Sequence, residues 1–241
     1  MENREFLKAN FRNELAKIET DQQKGMERPV KQKPVKEGEE VIDLPSIEDI
    51  DIGEKSIKKC LAGRRSHRKF LDKKLSLKEL SFLLWSTQGI SGKNENLRTS
   101  PSAGARHPFE TYIEVHNVEQ LTPGLYRYLP MDHKLVVLKN RSKSNELVEC
   151  CLNQPFAGDC AATFIWSVIP YRTEWRYSVA SHKPIALDAG HLCQNLYLAC
   201  EAIDSGTCAI GAYDQQAIDK FIGVDGNEEF VIYISPVGKV K

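Results

Sequence analysis

The sequence predicts an α+β fold. Three observations predict it. Candidate helices and strands mix along the chain without a regular βαβ alternation. A β-hairpin pattern falls mid-chain, where Leu125–Tyr128 and Lys134–Leu138 flank Pro130-Met131-Asp132-His133. Finally, 241 residues, 41% hydrophobic and 27% charged, suit one domain with a sizeable core.

The elements follow in order. Residues 3–20 place Phe6, Leu7, Asn10, Phe11, Leu15 and Ile18 on one stripe, so an amphipathic helix is expected. Residues 21–45 scatter Pro29, Pro34 and Pro45 among lysines and glutamates and read as an extended arm without its own core. The arm ends in the apolar patch Val41–Pro45. The division expected is an N-terminal helix and arm over 1–55 and a main domain over 56–241. Within that domain Ser56–Ala62 reads as a short helix. Ser76 and Glu79 make a capping box for the next helix, which Gly89 stops. Thr111–Val115 alternates as a strand. Asn145–Leu152 is an expected helix, and Ala161–Ile169 a buried strand. Ile185–Ile203 is apolar nearly all round, as a central or interface helix would be. Asp214 caps a short helix ending near Gly223, and Phe230–Ile234 is the last strand.

Composition excludes several classes. Thirty-three basic and thirty-three acidic residues cancel, so no global field attracts nucleic acid. No apolar run approaches the length of a membrane span. The polar stretch Glu2–Lys17 lacks a signal-peptide core, so a cytoplasmic location is expected. Seven cysteines with no Cys-x-x-Cys spacing suggest neither a disulfide framework nor a zinc site. No Gly-x-Gly-x-x-Gly, Walker loop or His-Glu-x-x-His is present, so redox chemistry would need a cofactor held by other means.

Three segments carry candidate chemistry. Arg64-Arg65-Ser66-His67-Arg68 packs three guanidinium groups and a hydroxyl into five residues, a donor set for phosphate oxygens. The second runs Pro101-Ser102-Ala103-Gly104-Ala105-Arg106-His107-Pro108. The third is Gly206-Thr207-Cys208-Ala209-Ile210-Gly211. Together and in this order they resemble the nitroreductase-like superfamily of FMN-dependent oxidoreductases, from roughly Pro29 to Gly238. The branch most resembled holds the SagB-type azoline-oxidising dehydrogenases of ribosomal peptide biosynthesis.

The resemblance implies a mostly antiparallel central sheet flanked by helices, in a domain-swapped-type homodimer with FMN in clefts at the subunit interface. It implies that Arg64, Ser66 and Arg68, with Arg65 as helper, grip the flavin phosphate. Pro101, Ser102, Ala103 and Gly104 would run along the isoalloxazine edge, Gly104 allowing close backbone approach. The family often has Asn where this chain has Ala105; Arg106 is available to stand in for the amide. The Ala209–Gly211 segment would bring a backbone N–H, from Ile210 or Gly211, to the flavin N5. Lys239 would replace in part a phosphate ligand found after the last strand.

The SagB-type branch also has a Lys-Tyr pair ahead of an acidic Ala-Gly-His motif. Here Asp188-Ala189-Gly190-His191 is present, and the pair falls at Arg176-Tyr177. Azoline oxidation needs a base, and an arginine does not give up its proton. That reaction would fall to Tyr177 or His182. His191 is expected to be structural. The function implied is therefore NADH- or NADPH-driven, ping-pong reduction of a small nitroaromatic or quinone acceptor. An azoline dehydrogenase and a non-catalytic flavin-binding protein are the alternatives.

Overall fold

The computed structural model describes residues 4, 7–94 and 96–240. It is α+β. The described strands are β1 (Val41–Asp43), β2 (Phe109–Val115), β3 (Gly124–Leu129), β4 (Lys134–Lys139), β5 (Ala162–Val168), β6 (Ser205–Thr207) and β7 (Phe230–Lys239). They form one sheet in the order β1-β4-β3-β2-β5-β7-β6, every neighbouring pair antiparallel.

Side-chain alternation sends the two faces of this sheet to two cores. Phe109, Ile113 and Val115 of β2 and Phe164, Trp166 and Val168 of β5 pack with α3 (Leu77–Gln88) and α6 (His182–Ala202). Tyr112 and Ile165 point the other way, onto α4 (Ser144–Cys150) and α7 (Gln215–Ile222). β2 and β5 are buried along their whole lengths because both faces are covered.

Local chemistry sets the helix ends. The capping box at α3 is present: Ser76 Oγ accepts from Glu79 N, and Glu79 Oε2 accepts from Ser76 N at 2.9 Å. Asp214 accepts from Ala217 N to start α7, and Gly223 ends it with φ +82°. α2 (Ile57–Gly63) follows Ser56.

The expected helix over 3–20 shrinks to α1 (Phe11–Leu15). Turns closing three residues back surround it, such as Lys17 N to Glu14 O and Ile18 N to Leu15 O. Helices are held mainly by a buried apolar face, and this stripe buries little: Leu7 is 68% and Ile18 37% exposed. Phe6 lies outside the described residues.

Three elements were not legible. Val41–Asp43 is an edge strand on β4, so the arm lies on its own chain's sheet. Arg127 donates to the carbonyls of Lys33 and Pro34, and Lys33 Nζ pairs with Glu229 at 2.6 Å. β6 is too short to show a period. α5 (Tyr171–Tyr177) mixes polar and aromatic residues, and its buried Arg172 donates to Glu110 inside the sheet.

Candidate active site

The candidate residues gather in two groups on opposite sides of α6. The first group is built around Tyr197. The Arg64–Arg68 segment leaves α2 in extended conformation and lies beside β6, where His67 N donates to Thr207 O at 3.0 Å. This places Ser66 Oγ 3.1 Å from the Tyr197 hydroxyl, which also accepts from Ala209 N at 2.9 Å. Tyr197 thus ties the arginine segment to the Ala209–Gly211 segment. The Arg64 guanidinium lies 5.3 Å from the Tyr197 ring centre, and that of Arg68 lies 5.8 Å from Phe156. Arg65 donates to the Ala62 and Arg64 carbonyls. Among the described residues none of the three arginines is ion-paired with a carboxylate.

The Ala209–Gly211 segment narrows the expected amide donor. Ala209 N is spent on Tyr197, and Ile210 N donates to Ile234 O at 2.7 Å in the sheet. Ile210 therefore cannot offer its N–H to a ligand. Gly211 is exposed, with open space where a Cβ would be.

Lys239 is also displaced from its expected role. Its ammonium pairs with Glu79 and donates to Ile203 O at 3.2 Å. It fastens the end of β7 to α3 and α6 and is not part of the arginine group. The sequence could not show this contact, because Lys239 meets Glu79 of the α3 capping box from far along the chain.

The second group is built around Asp188. Its carboxylate, 5% exposed, accepts from Ala103 N at 2.9 Å. Burial raises its pKa, while hydrogen bonds from Ser102 and Ala103 act the other way. Ser102 Oγ accepts from His107 N at 2.9 Å, which closes the loop after Pro101. Gly104 has φ +58°, and a Cβ there would meet the Tyr177 hydroxyl at 2.5 Å and Arg176 Cδ at 3.1 Å. So the loop and the Arg176-Tyr177 pair, separate in sequence, are packed together. The Arg176 guanidinium sits 5.7 Å from the Tyr177 ring centre.

Arg106 is not at the loop surface. It is buried, donates through Nε to Arg172 O at 2.6 Å and stacks 4.6 Å from the Trp175 ring centre. Burial and nearby guanidinium groups lower its pKa to about 10. It cannot replace a side-chain amide in the loop. His191 lies beside Asp188 at 3.8 Å and is half exposed. It stands well inside α6, which begins at His182.

Asp188 and Tyr197 are nine positions apart. At about 100° per residue that is about 180° around the helix. The contacts agree. Asp188 and Asn195 face the loop and α3, where Asn195 donates to the Ser86 and Thr99 carbonyls. Tyr197 faces Ser66 and Ala209. The sequence marked Asp188 only as the head of the Asp188–His191 motif and gave Tyr197 no role. The available signal was a carboxylate inside an apolar helix, which when buried must find donors.

This fold, an antiparallel seven-stranded sheet flanked by helices, is the α+β fold of the solved nitroreductase structures. The nitroreductase family model matches residues 61–239, and the chain belongs to the nitroreductase family, whose members are oxidoreductases. A protein of Methanocaldococcus jannaschii named as a nitroreductase is 30% identical over 82% of this chain and 96% of its own length. A crystal structure of an Anabaena variabilis protein so named superposes with TM-score 0.67 at 28% identity, covering 77% of this chain. This chain spans only 38% of that one. A Ralstonia eutropha protein, 24% identical, shares the fold with TM-score 0.71 over 89% of this chain and 96% of its own. Among the described residues no helix is long and apolar enough to cross a membrane.

Proposed function

We propose that this chain is an FMN-dependent oxidoreductase that uses NADH or NADPH to reduce a small electrophilic acceptor. The observation that carries this reading is the arginine group: three guanidinium groups and a serine hydroxyl, free of carboxylate partners among the described residues, linked through Tyr197 to an open backbone amide at Gly211. Two or three guanidinium groups match a terminal phosphate in charge and geometry. The second support is the Ser102–Gly104 loop, held by Asp188 at Ala103 N, where Gly104 lets the Tyr177 hydroxyl and Arg176 pack directly against the backbone.

Bound FMN would supply the hydride chemistry. The chain's residues do the rest. Arg64, Arg65, Ser66 and Arg68 would hold and neutralise the phosphate. Gly211 would offer its free N–H to the ring. Pro101 to Gly104, a loop fixed by Asp188 and by the Ser102–His107 bond, would border the ring. Tyr177 and Arg176 line the space beside that edge. The reaction balances with a quinone as acceptor: quinone, NAD(P)H and a proton give hydroquinone and NAD(P)⁺.

The two groups lie on opposite sides of α6, so we propose that they serve one flavin only across two copies of the chain. The arginine group of one protomer would face the Ser102–Gly104 loop of its partner, in a homodimer. Arg176 weighs against azoline oxidation, because a guanidinium is no proton acceptor.

The test is direct. The purified protein should be yellow, release FMN and not FAD on denaturation, and bleach when NADH or NADPH is added without oxygen. Release of FAD, or of no flavin, would refute the reading. Colour without bleaching would refute the reductase step.

A further inference from the structure

A cavity of about 720 Å³ lies between the N-terminal segment and the start of α6. That volume suits a small-molecule site. Ala103, Arg176 and Tyr177 form one wall, so the cavity adjoins the loop proposed to edge the flavin. Its charged lining is all of one sign: Lys8, Arg176 and Lys183, with no carboxylate among the described lining residues. The chain as a whole is neutral, so this bias is local.

The helix behind it adds to the bias. α6 opens onto the cavity through Lys183 and Leu187. Its first turn carries no acidic side chain, and Ser181 at its start makes no capping bond. The Ser181 Oγ is fully buried and unpartnered. The positive end of this helix thus has no side-chain cap of its own, with Glu174 acting through space on its first residue, His182. Arg106, beside Tyr177 and Arg176, keeps a buried Nη2 without a partner. Three cationic side chains, Lys8, Arg176 and Lys183, therefore line one space, and the rest of the lining joins apolar groups such as Leu15, Leu187 and the Tyr177 ring to the neutral polar Thr20, Gln22 and Gln23.

We propose that this cavity seats the acceptor and selects acceptors that carry an anionic group on a flat apolar body, the chemistry of an aromatic carboxylate. Lys183 is the specificity-determining side chain. It is fixed by donating to Leu7 O at 2.5 Å, which also draws the N-terminal segment over the cavity. This inference rests on the reductase reading above, since both share the Ala103 and Tyr177 wall.

The test uses a matched pair, 4-nitrobenzoate and the neutral 4-nitrobenzamide, bound calorimetrically to the purified protein. One charge-assisted contact corresponds to about tenfold in affinity, so the carboxylate should bind at least about tenfold more tightly. Lys183→Gln keeps a donor for Leu7 but removes the charge, and should erase most of that preference. Lys183→Glu should reverse it. Amide binding should stay within about threefold in both, which separates lost charge from a collapsed cavity. Equal affinities in the wild type, or an unchanged preference in Lys183→Glu, would overturn the proposal. So would a Lys183→Glu effect confined to NADPH over NADH, which would make the cavity a seat for the donor's phosphate. The same preparation reports flavin content. Absence of FMN would sink the reductase reading while the binding comparison still scores the cavity.

Discussion

The arginine group and the Ser102–Gly104 loop are built in opposite ways. Arg65, Ser66 and Arg68 are exposed, and the Arg64 and Arg68 guanidinium groups rest on aromatic rings without a counter-charge among the described residues. The loop is closed by its own bonds: Asp188 to Ala103 N, Ser102 to His107 N, and Gly104 against Tyr177. One half of the proposed site presents charges that have no carboxylate partner among the described residues. The other has its shape already fixed and contributes backbone. Substitutions in the first half should therefore change binding and spare the fold, while those in the second should change both.

The largest effect expected is on binding. Arg64→Ala with Arg68→Ala removes two charge-assisted contacts of about 1.5–3 kcal/mol each, so FMN affinity should fall about a hundredfold or more. Surface changes of this kind move stability by about 0.5 kcal/mol or less. A titration of FMN into the double variant, beside a melting curve, checks both halves of the statement. Unchanged affinity would move the phosphate site elsewhere.

Gly104→Ala should cost about 1–3 kcal/mol, since φ +58° disfavours a Cβ and that Cβ would meet the Tyr177 hydroxyl at 2.5 Å. Tyr177→Phe in the same chain removes the clashing oxygen and should recover part of the loss, leaving the backbone term. If the double variant melts no higher than Gly104→Ala alone, the contact is not the cause.

The loop should also respond to acid. Burial and the nearby Arg98 push His107 down to about 3 from its ordinary 6.5. The folded state therefore holds this ring neutral where the unfolded chain would protonate it. That contribution is present in full above about pH 6.5 and is lost as pH falls towards 3, at about 1.4 kcal/mol per pH unit. Between pH 6.5 and 5 this is about 2 kcal/mol. His107→Gln should flatten that part of the stability–pH curve, and an unaltered slope would contradict the burial argument.

The smallest effect sharpens the boundary of the site. Lys239→Met breaks the pair with Glu79 and the bond to Ile203 O, which should cost about 1–2 kcal/mol of stability and leave FMN affinity unchanged. A parallel fall in affinity would return Lys239 to the phosphate group.

Much of this was legible in the sequence because it is local. The hairpin of β3 and β4, the capping box at α3 and the Asp214–Gly223 helix all follow from side chains a few residues apart. The three motif segments could be read from residue type and order. What could not be read depends on contacts distant along the chain. The arm becomes an edge strand because β4 offers an unpaired edge. Arg106 turns inward because Trp175 and the Arg172 carbonyl await it. Tyr197 joins two motifs only when α6 is laid against Ser66 and Ala209. That the two halves of the site face opposite ways is a property of helix phase: it was present in the spacing of Asp188 and Tyr197, but carried meaning only after their partners were known.

That phase relation supports the central claim, that one flavin seat is shared between two copies of the chain. The most direct test mixes two defective proteins. One carries Arg64→Ala and Arg68→Ala, the other Gly104→Val, and each alone should bind little FMN. After denaturation and joint refolding, half of the dimers should be mixed, each with one intact seat made from the sound loop of the first chain and the sound arginines of the second. The account predicts that flavin binding and NAD(P)H-driven bleaching return, to about a quarter of the wild-type level by this counting. If the mixture binds no more FMN than its parents, the seat lies within a single chain and the claim is wrong.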